Sequence, residues 1–144
     1  MGEALRLARR AYEAEEVPIG AVIVREGRII ARAWNQVELL KDATAHAEML
    51  ALTQAEEAAG DWRLTDCTLY VTLEPCAHHG RTGPCAEALV AAGIARVVSS
   101  IEDPDPRVSG GGHAILERAG VACESGLGAE EARRDMAGFL TRIQ

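Results

Sequence analysis

Aromatic residues make up only 3% of these 144 residues. A core with so few rings has to be aliphatic and alanine-rich, which suits helices packed on a sheet better than an all-β sandwich. Positive charge is also in deficit. Fifteen Lys and Arg against 22 Asp and Glu leave a formal charge of −7. Proteins that grip nucleic acid through its phosphates present a basic surface, so the balance disfavours a large nucleic-acid footprint and leaves room only for a local basic pocket around Arg81. No apolar run approaches the ~20 residues that span a bilayer, and no signal-like segment follows the start. No membrane partner is expected, and the cytoplasm is the expected location. Four cysteines without a secretory segment read as thiols or metal ligands before disulfides. What is present, 48% apolar and 26% charged residues, is the composition of a folded globule. The length fits one compact domain over residues 1–144 that buries roughly two-thirds of its extended surface.

Periodicity supplies the elements. "EALRLARRAYEAEE" spaces Leu5, Ala8 and Tyr12 on one helical face. "PIGAVIVREGRIIARAW" reads as a hairpin turning at Glu26-Gly27. "TAHAEMLALTQAEEAA" is a strong helix, with Thr44 as the expected cap of its start and Gly60 closing it. "CTLYVTL" is a nearly continuous apolar run, the mark of a central strand. Pro84 opens a helix that stops at Gly93; "ARVVSS" is a strand, "GHAILERAG" a short helix, "VACES" an edge strand and "AEEARRDMAGFL" a last helix. The order α-β-β-α-β-α-β-α-β-α predicts an α/β fold, a mixed sheet with helices on both faces.

Two stretches carry chemistry. "TLEPCAHHGRTGPC" sets eight residues between Cys76 and Cys85, and "TAHAEML" places His46 two residues before Glu48. Residues i and i+2 do not share a helix face, but in a first turn both can border a pocket off the helix end. Cys76 follows the carboxyl end of the expected central strand, where ligands of open α/β sheets gather. Cys85 opens the next helix, where the dipole favours thiolate. One imidazole and two thiolates would hold zinc with a fourth position left for water. Two thiolates offset the ion's charge, so a nearby base is needed, and Glu48 is placed to take the water's proton. A Cys76–Cys85 disulfide, a closed structural site completed by His78 or His79, and a merely solvated Glu48 stay open on these residues alone. Cys67 and Cys123 read as inert cysteines within strands.

"HAE" followed by "PC…C" resembles the zinc-dependent cytidine and deoxycytidylate deaminase superfamily. The resemblance covers nearly the whole chain. It implies a three-layer α/β/α fold with a five-stranded mixed sheet, one zinc ion per chain, His46, Cys76 and Cys85 as its ligands, and Glu48 as the proton shuttle. The implied reaction is hydrolytic: an exocyclic amine of a nitrogen heterocycle is replaced by oxygen and ammonia leaves. Relatives of this kind pair through helices near the zinc, so a homodimer or higher homo-oligomer is expected. A zinc scaffold without turnover is the alternative of another class.

The substrate is divided between two groups. "EEVPIGAVIV", "AWNQVELLKDATAHAEML" and "GDWRLTDCTLYVTLEPC" resemble bacterial tRNA adenosine deaminases, whereas "CAHHGRTGPCAEALVAAGIARVV", "EDPDPRVSGGG" and "AGFLTRI" resemble the deaminase domain of the bifunctional riboflavin-pathway enzyme. Such a change at Cys76 points to a recombined or engineered chain. The eight-residue cysteine spacing is similar to the riboflavin type; the tRNA-editing group uses two. Arg81, His78 and His79 offer donors to a substrate phosphate, and Asp103 and Asp105 lie at the same sheet rim. Glu16 and Asp105 stand where the riboflavin relatives usually have asparagine, two carboxylates that would face that phosphate badly. Asn35 matches the base-contacting asparagine of the tRNA-editing group, with Val17 lining the pocket. The first expectation is a diaminopyrimidine nucleotide substrate; a tRNA adenosine and a free nucleobase or nucleoside are the alternatives.

Overall fold

In a computed structural model, which describes residues 1–77, 85–104 and 109–142, five strands form one sheet in the order β2-β1-β3-β4-β5. The strands are β1 (Gly20–Arg25), β2 (Arg28–Trp34), β3 (Cys67–Leu73), β4 (Arg96–Ile101) and β5 (Ala122–Ser125). The first three pair antiparallel and the last three parallel, so β3 has an antiparallel neighbour on one side and a parallel one on the other. The β1–β2 hairpin turns where expected. Glu26 and Gly27 both adopt positive φ, 51° and 76°, the turn whose hand matches strand twist.

The helices are α1 (Gly2–Glu13), α2 (Val37–Leu40), α3 (Ala47–Ala59), α4 (Cys85–Ala91), α5 (Gly111–Arg118) and α6 (Ala129–Arg142). α1 and α6 touch each other and cover one face, while α3 packs behind β1 and β2 and meets α4, which in turn meets α5. None of the described helices is long and apolar enough to cross a membrane. The mixed sheet with helices on both faces is the architecture the sequence predicts.

The core bears out the shortage of rings. Its buried apolar residues are aliphatic, small, cysteine or methionine, with Leu64, Leu69, Leu89 and Leu116 among the largest fully buried side chains. Each buried leucine contributes ~1.5–3 kcal/mol relative to exposure. Small residues permit close layers: a Cβ on Gly20 would lie 2.0 Å from the Ala4 carbonyl oxygen, so α1 rests directly on the start of β1. β3 is buried at Cys67, Leu69, Val71 and Thr72, and β4 is buried from Val97 to Ile101. β5 is the exposed edge strand, and Cys123 within it is half-buried, whereas Cys67 in β3 is fully buried. Burial raises both thiols above their ordinary range.

Two features depart from the sequence reading. α2 was not expected, and Thr44 does not cap α3. The helix begins at Ala47, with His46 as its N-cap in an extended conformation and Gly60 closing the other end in the left-handed region. Thr44 turns back instead, its N–H and hydroxyl both donating to Asp42 Oδ1 at 2.8 and 2.6 Å. The first helical N–H, of Ala47, is taken by Asn35 Oδ1 at 3.1 Å. A cap supplied from outside the helix leaves His46 free to aim off its end.

Candidate metal centre

Three chain segments converge at one sheet rim. His46 precedes α3, Cys76 follows β3, and Cys85 is the first residue of α4. Their ligand atoms all lie within 4.8 Å of one another, and no other such group of metal-binding side chains occurs among the described residues. His46 Nδ1 is 3.3 Å from Cys85 Sγ, and the Cys85 backbone N–H donates to Cys76 Sγ at 3.1 Å. The Ala86 N–H donates to the Cys76 carbonyl at 3.1 Å, so the start of α4 is tied to the loop that carries the first sulfur.

The charges match this geometry. Cys76 is held down to about 4, chiefly by hydrogen bonding from the Cys85 thiol. Cys85 is pushed upward by the same bond and by burial. His46 is raised by its hydrogen bond to Cys76. A tetrahedral zinc, with bonds of ~2.3 Å to sulfur and ~2.0–2.1 Å to nitrogen, needs donors about 3.5–3.8 Å apart. Two thiols and an imidazole already packed this closely fit that ion. They suit neither calcium nor magnesium, which take oxygen ligands. No disulfide joins the cysteines, which removes that alternative.

Glu48 lies in the first turn of α3 and is 4% exposed, with Oε1 lacking a hydrogen-bond partner among the described residues. Burial pushes its carboxyl up to about 7; a hydrogen bond with its own backbone opposes the rise, and the charge on Cys76 adds to it. The solvated-carboxylate alternative falls with that burial. A carboxyl so placed can change protonation state near neutrality, which proton transfer requires.

The expected substrate contacts divide. Asn35 is buried beside the site. With Oδ1 committed to the Ala47 N–H, its side chain has the Nδ2 donor to offer. Val17 is half-buried in the adjoining segment, where the Ile19 N–H donates to its carbonyl at 2.8 Å and Ile19 in turn accepts the Asn35 N–H at 3.0 Å. Asp103 is half-buried, and its N–H is drawn to Glu74. His78, His79, Arg81 and Asp105 lie outside the described residues. Glu16 requires a correction. It faces no phosphate: 1% exposed, it accepts the N–H groups of Glu38 and Leu39 at 3.1 and 2.7 Å and so holds the start of α2. Glu74 and His113, both buried, escaped the sequence reading; the apolar run ending at Glu74 was the available signal.

Residues 1–101 match the cytidine and deoxycytidylate deaminase zinc-binding region. Riboflavin biosynthesis protein RibD of Escherichia coli is 44% identical over 146 aligned residues, which take in 100% of this chain and 37% of that protein. The chain thus spans about a third of the length of the RibD proteins it matches. The tRNA-specific adenosine deaminase of Aquifex aeolicus is 52% identical over 100 residues, 69% of this chain and 62% of that one. Among solved structures, Acinetobacter baumannii RibD superposes with a TM-score of 0.82 at 40% identity, covering 99% of this chain and 38% of that one. Family match, superposition and donor geometry agree: the chain belongs to the cytidine and deoxycytidylate deaminase family of zinc-dependent hydrolytic deaminases.

Proposed function

We propose that this chain deaminates a diaminopyrimidine nucleotide, with His46, Cys76 and Cys85 holding zinc and Glu48 carrying the proton. The observation that carries the reading is the convergence of those three donors beside a buried carboxyl raised to about 7. Zinc, when bound, supplies the Lewis acidity that makes water a nucleophile at neutral pH. Glu48 takes the proton that the attacking water must lose and delivers it to the departing amine, so both transfers use one side chain. The apolar burial that raises its carboxyl also keeps bulk water from competing for the proton. Asn35 Nδ2 donates to an acceptor on the heterocycle and fixes which ring carbon faces the ion, while Val17 packs against the ring.

Similarity to RibD across the whole chain supports the pyrimidine nucleotide over a nucleic acid, as do the acidic balance and the long cysteine spacing. A reading that follows one relative from end to end needs no splice at Cys76. Wobble adenosine of tRNA is the second reading. The higher identity over a shorter span with the Aquifex aeolicus tRNA-specific deaminase favours it, and so does the Asn35–Val17 pair.

The test is ammonia release from a panel of aminopyrimidine nucleotides, free bases, nucleosides and a tRNA anticodon stem-loop. Turnover of a diaminopyrimidine nucleotide is expected, with charge reversal at Arg81 erasing the preference for the phosphorylated form. Activity confined to the RNA would replace the first reading by the second. Zinc binding with no turnover of any member would leave a scaffold.

A further inference from the structure

Glu74 is the last residue before Pro75 and Cys76 at the carboxyl end of β3, and its side chain is only 2% exposed. A carboxylate this deep has to be satisfied by donors. Oε1 accepts two of them, the N–H of Asp103 at 2.8 Å and that of Gly110 at 2.7 Å. Those residues flank the β4–α5 connection, so a single oxygen gathers both its ends. Oε2 has no hydrogen-bond partner among the described residues and stands 3.7 Å from His113 Nδ1. His113 Nε2 is in turn 2.8 Å from Ser99 Oγ. A proton on Nδ1 suits both neighbours, with Ser99 donating to Nε2 and the imidazole N–H facing the carboxylate.

The start of α5 is pressed against the same loop. A Cβ on Gly112 would sit 1.8 Å from the Pro75 carbonyl oxygen, and one on Gly111 would sit 3.2 Å from the Ala77 Cβ. Pro75 and Ala77 bracket Cys76. Glu74 also donates its own N–H to the Ile101 carbonyl at 2.9 Å, at the end of β4. The residue therefore joins three things: the loop carrying Cys76, the end of β4 with Asp103, and the first turn of α5.

We propose that Glu74 is a positioning residue for the deamination reaction, its carboxylate fixing Asp103 and the start of α5 against the cation-binding loop so that substrate meets a preformed wall. The proposal rests on the functional reading above, because Asp103 counts as a wall of the substrate site only if that reading holds. Glu74 touches neither substrate nor the reacting atoms. Its effect runs through Asp103 and Gly110, so it belongs in substrate affinity more than in the chemical step.

Three substitutions in the zinc-loaded full chain test it. Glu74→Gln keeps an oxygen that can accept both N–H groups, and its amide can donate to His113 Nδ1 once the imidazole takes its other tautomer, with Nε2–H donating to Ser99 Oγ. Glu74→Asp keeps the charge but falls short by one methylene. Glu74→Ala removes the acceptor. Expected for Glu74→Ala is a KM raised about tenfold or more, with kcat within about threefold and unchanged zinc stoichiometry, because hydrogen bonds to a charged group are lost. Glu74→Asp should shift KM in the same direction, and Glu74→Gln should stay within about twofold of the parent. The amide hydrogens of Asp103 and Gly110 should exchange faster in the Ala and Asp variants and not in the Gln variant. Should the Ala chain fail to fold, the Gln and Asp variants decide alone.

An unchanged KM in Glu74→Asp and Glu74→Ala overturns the proposal. So does a loss of zinc and kcat together in all three, or a Gln variant no better than Asp. The exchange measurement needs no turnover. If no substrate of the panel reacts, the functional reading fails first, and unaltered exchange at Asp103 and Gly110 in the Asp variant sinks the positioning role independently.

Discussion

The two flanks of the cation site carry the same ingredients and use them differently. On the α3 side a histidine is followed by a buried glutamate, and on the β3 side a buried glutamate is followed by a cysteine. Glu48 and Glu74 are equally secluded, each 4% exposed, and each has one oxygen without a hydrogen-bond partner among the described residues. They part in what surrounds the other oxygen. Glu74 Oε1 receives two backbone N–H groups at the start of a helix, the arrangement that stabilises a carboxylate. At Glu48 burial prevails over opposing hydrogen bonds from its own backbone and the Cys85 thiol, raising its carboxyl to about 7. Seclusion is common to both carboxyls, and they differ in which groups their oxygens bind. One carboxyl borders the three metal-binding side chains, and the other holds the two ends of the β4–α5 connection.

That contrast can be broken most severely at Glu48. Glu48→Gln preserves shape and burial but cannot pass a proton. Ammonia release should fall about a hundredfold to ten-thousandfold while zinc content, measured by metal analysis, stays at one per chain. A Gln variant that still turned over would erase the distinction between the two flanks. Next in size is Cys85→Ser, which removes a soft donor from the start of α4. Zinc should be lost and the melting temperature should fall as it does when a chelator strips the parent chain, and added zinc should restore only the parent.

A smaller effect separates the two duties of Asn35. Asn35→Ala should cost about 1 kcal/mol of stability through the lost Ala47 acceptor, and should also raise KM. Asn35→Asp retains the acceptor oxygen, so denaturant unfolding should return toward the parent value while KM stays high. Equal effects of both on KM and stability would mean that Asn35 serves the helix alone.

The smallest change belongs away from the rim. Arg25 and Asp66 form an exposed pair at 2.8 Å that holds the Asp66 carboxyl below its ordinary range. Because the folded pKa is depressed, its contribution is present above the unfolded value and fades as pH falls through the folded one. Asp66→Asn should leave ammonia release untouched, with a slight loss of melting temperature near neutrality that vanishes in acid and in high salt.

Much of this was legible in the sequence because it is local. The apolar run "CTLYVTL" is buried at the centre of the sheet, and the alanine-rich stretch after His46 is α3. Histidine and the two cysteines were readable because few residue types can hold zinc. What escaped depends on partners distant in the chain. α2 is four residues long, too short for a period, and its first N–H groups are met by Glu16, 22 and 23 residues earlier. Glu74 finds its donors 29 and 36 residues downstream. Thr44 failed as a cap because its hydroxyl is turned to Asp42, to which it donates, and the acceptor for the Ala47 N–H is Asn35, 12 residues earlier.

The margins of the sheet have a consequence for how copies of this chain meet in solution. β2 and β5 each have one side open to strand addition, the usual starting point for unwanted cross-β growth. β2 carries Arg28 and Arg32 and pairs with a register shift at Ile23/Val24; β5 has four residues and carries Glu124. Arginine, a bulge and brevity each discourage a foreign strand from docking there. Concentrated solutions of the folded chain should therefore stay clear of amyloid-like precipitation, which a thioflavin signal on ageing would contradict.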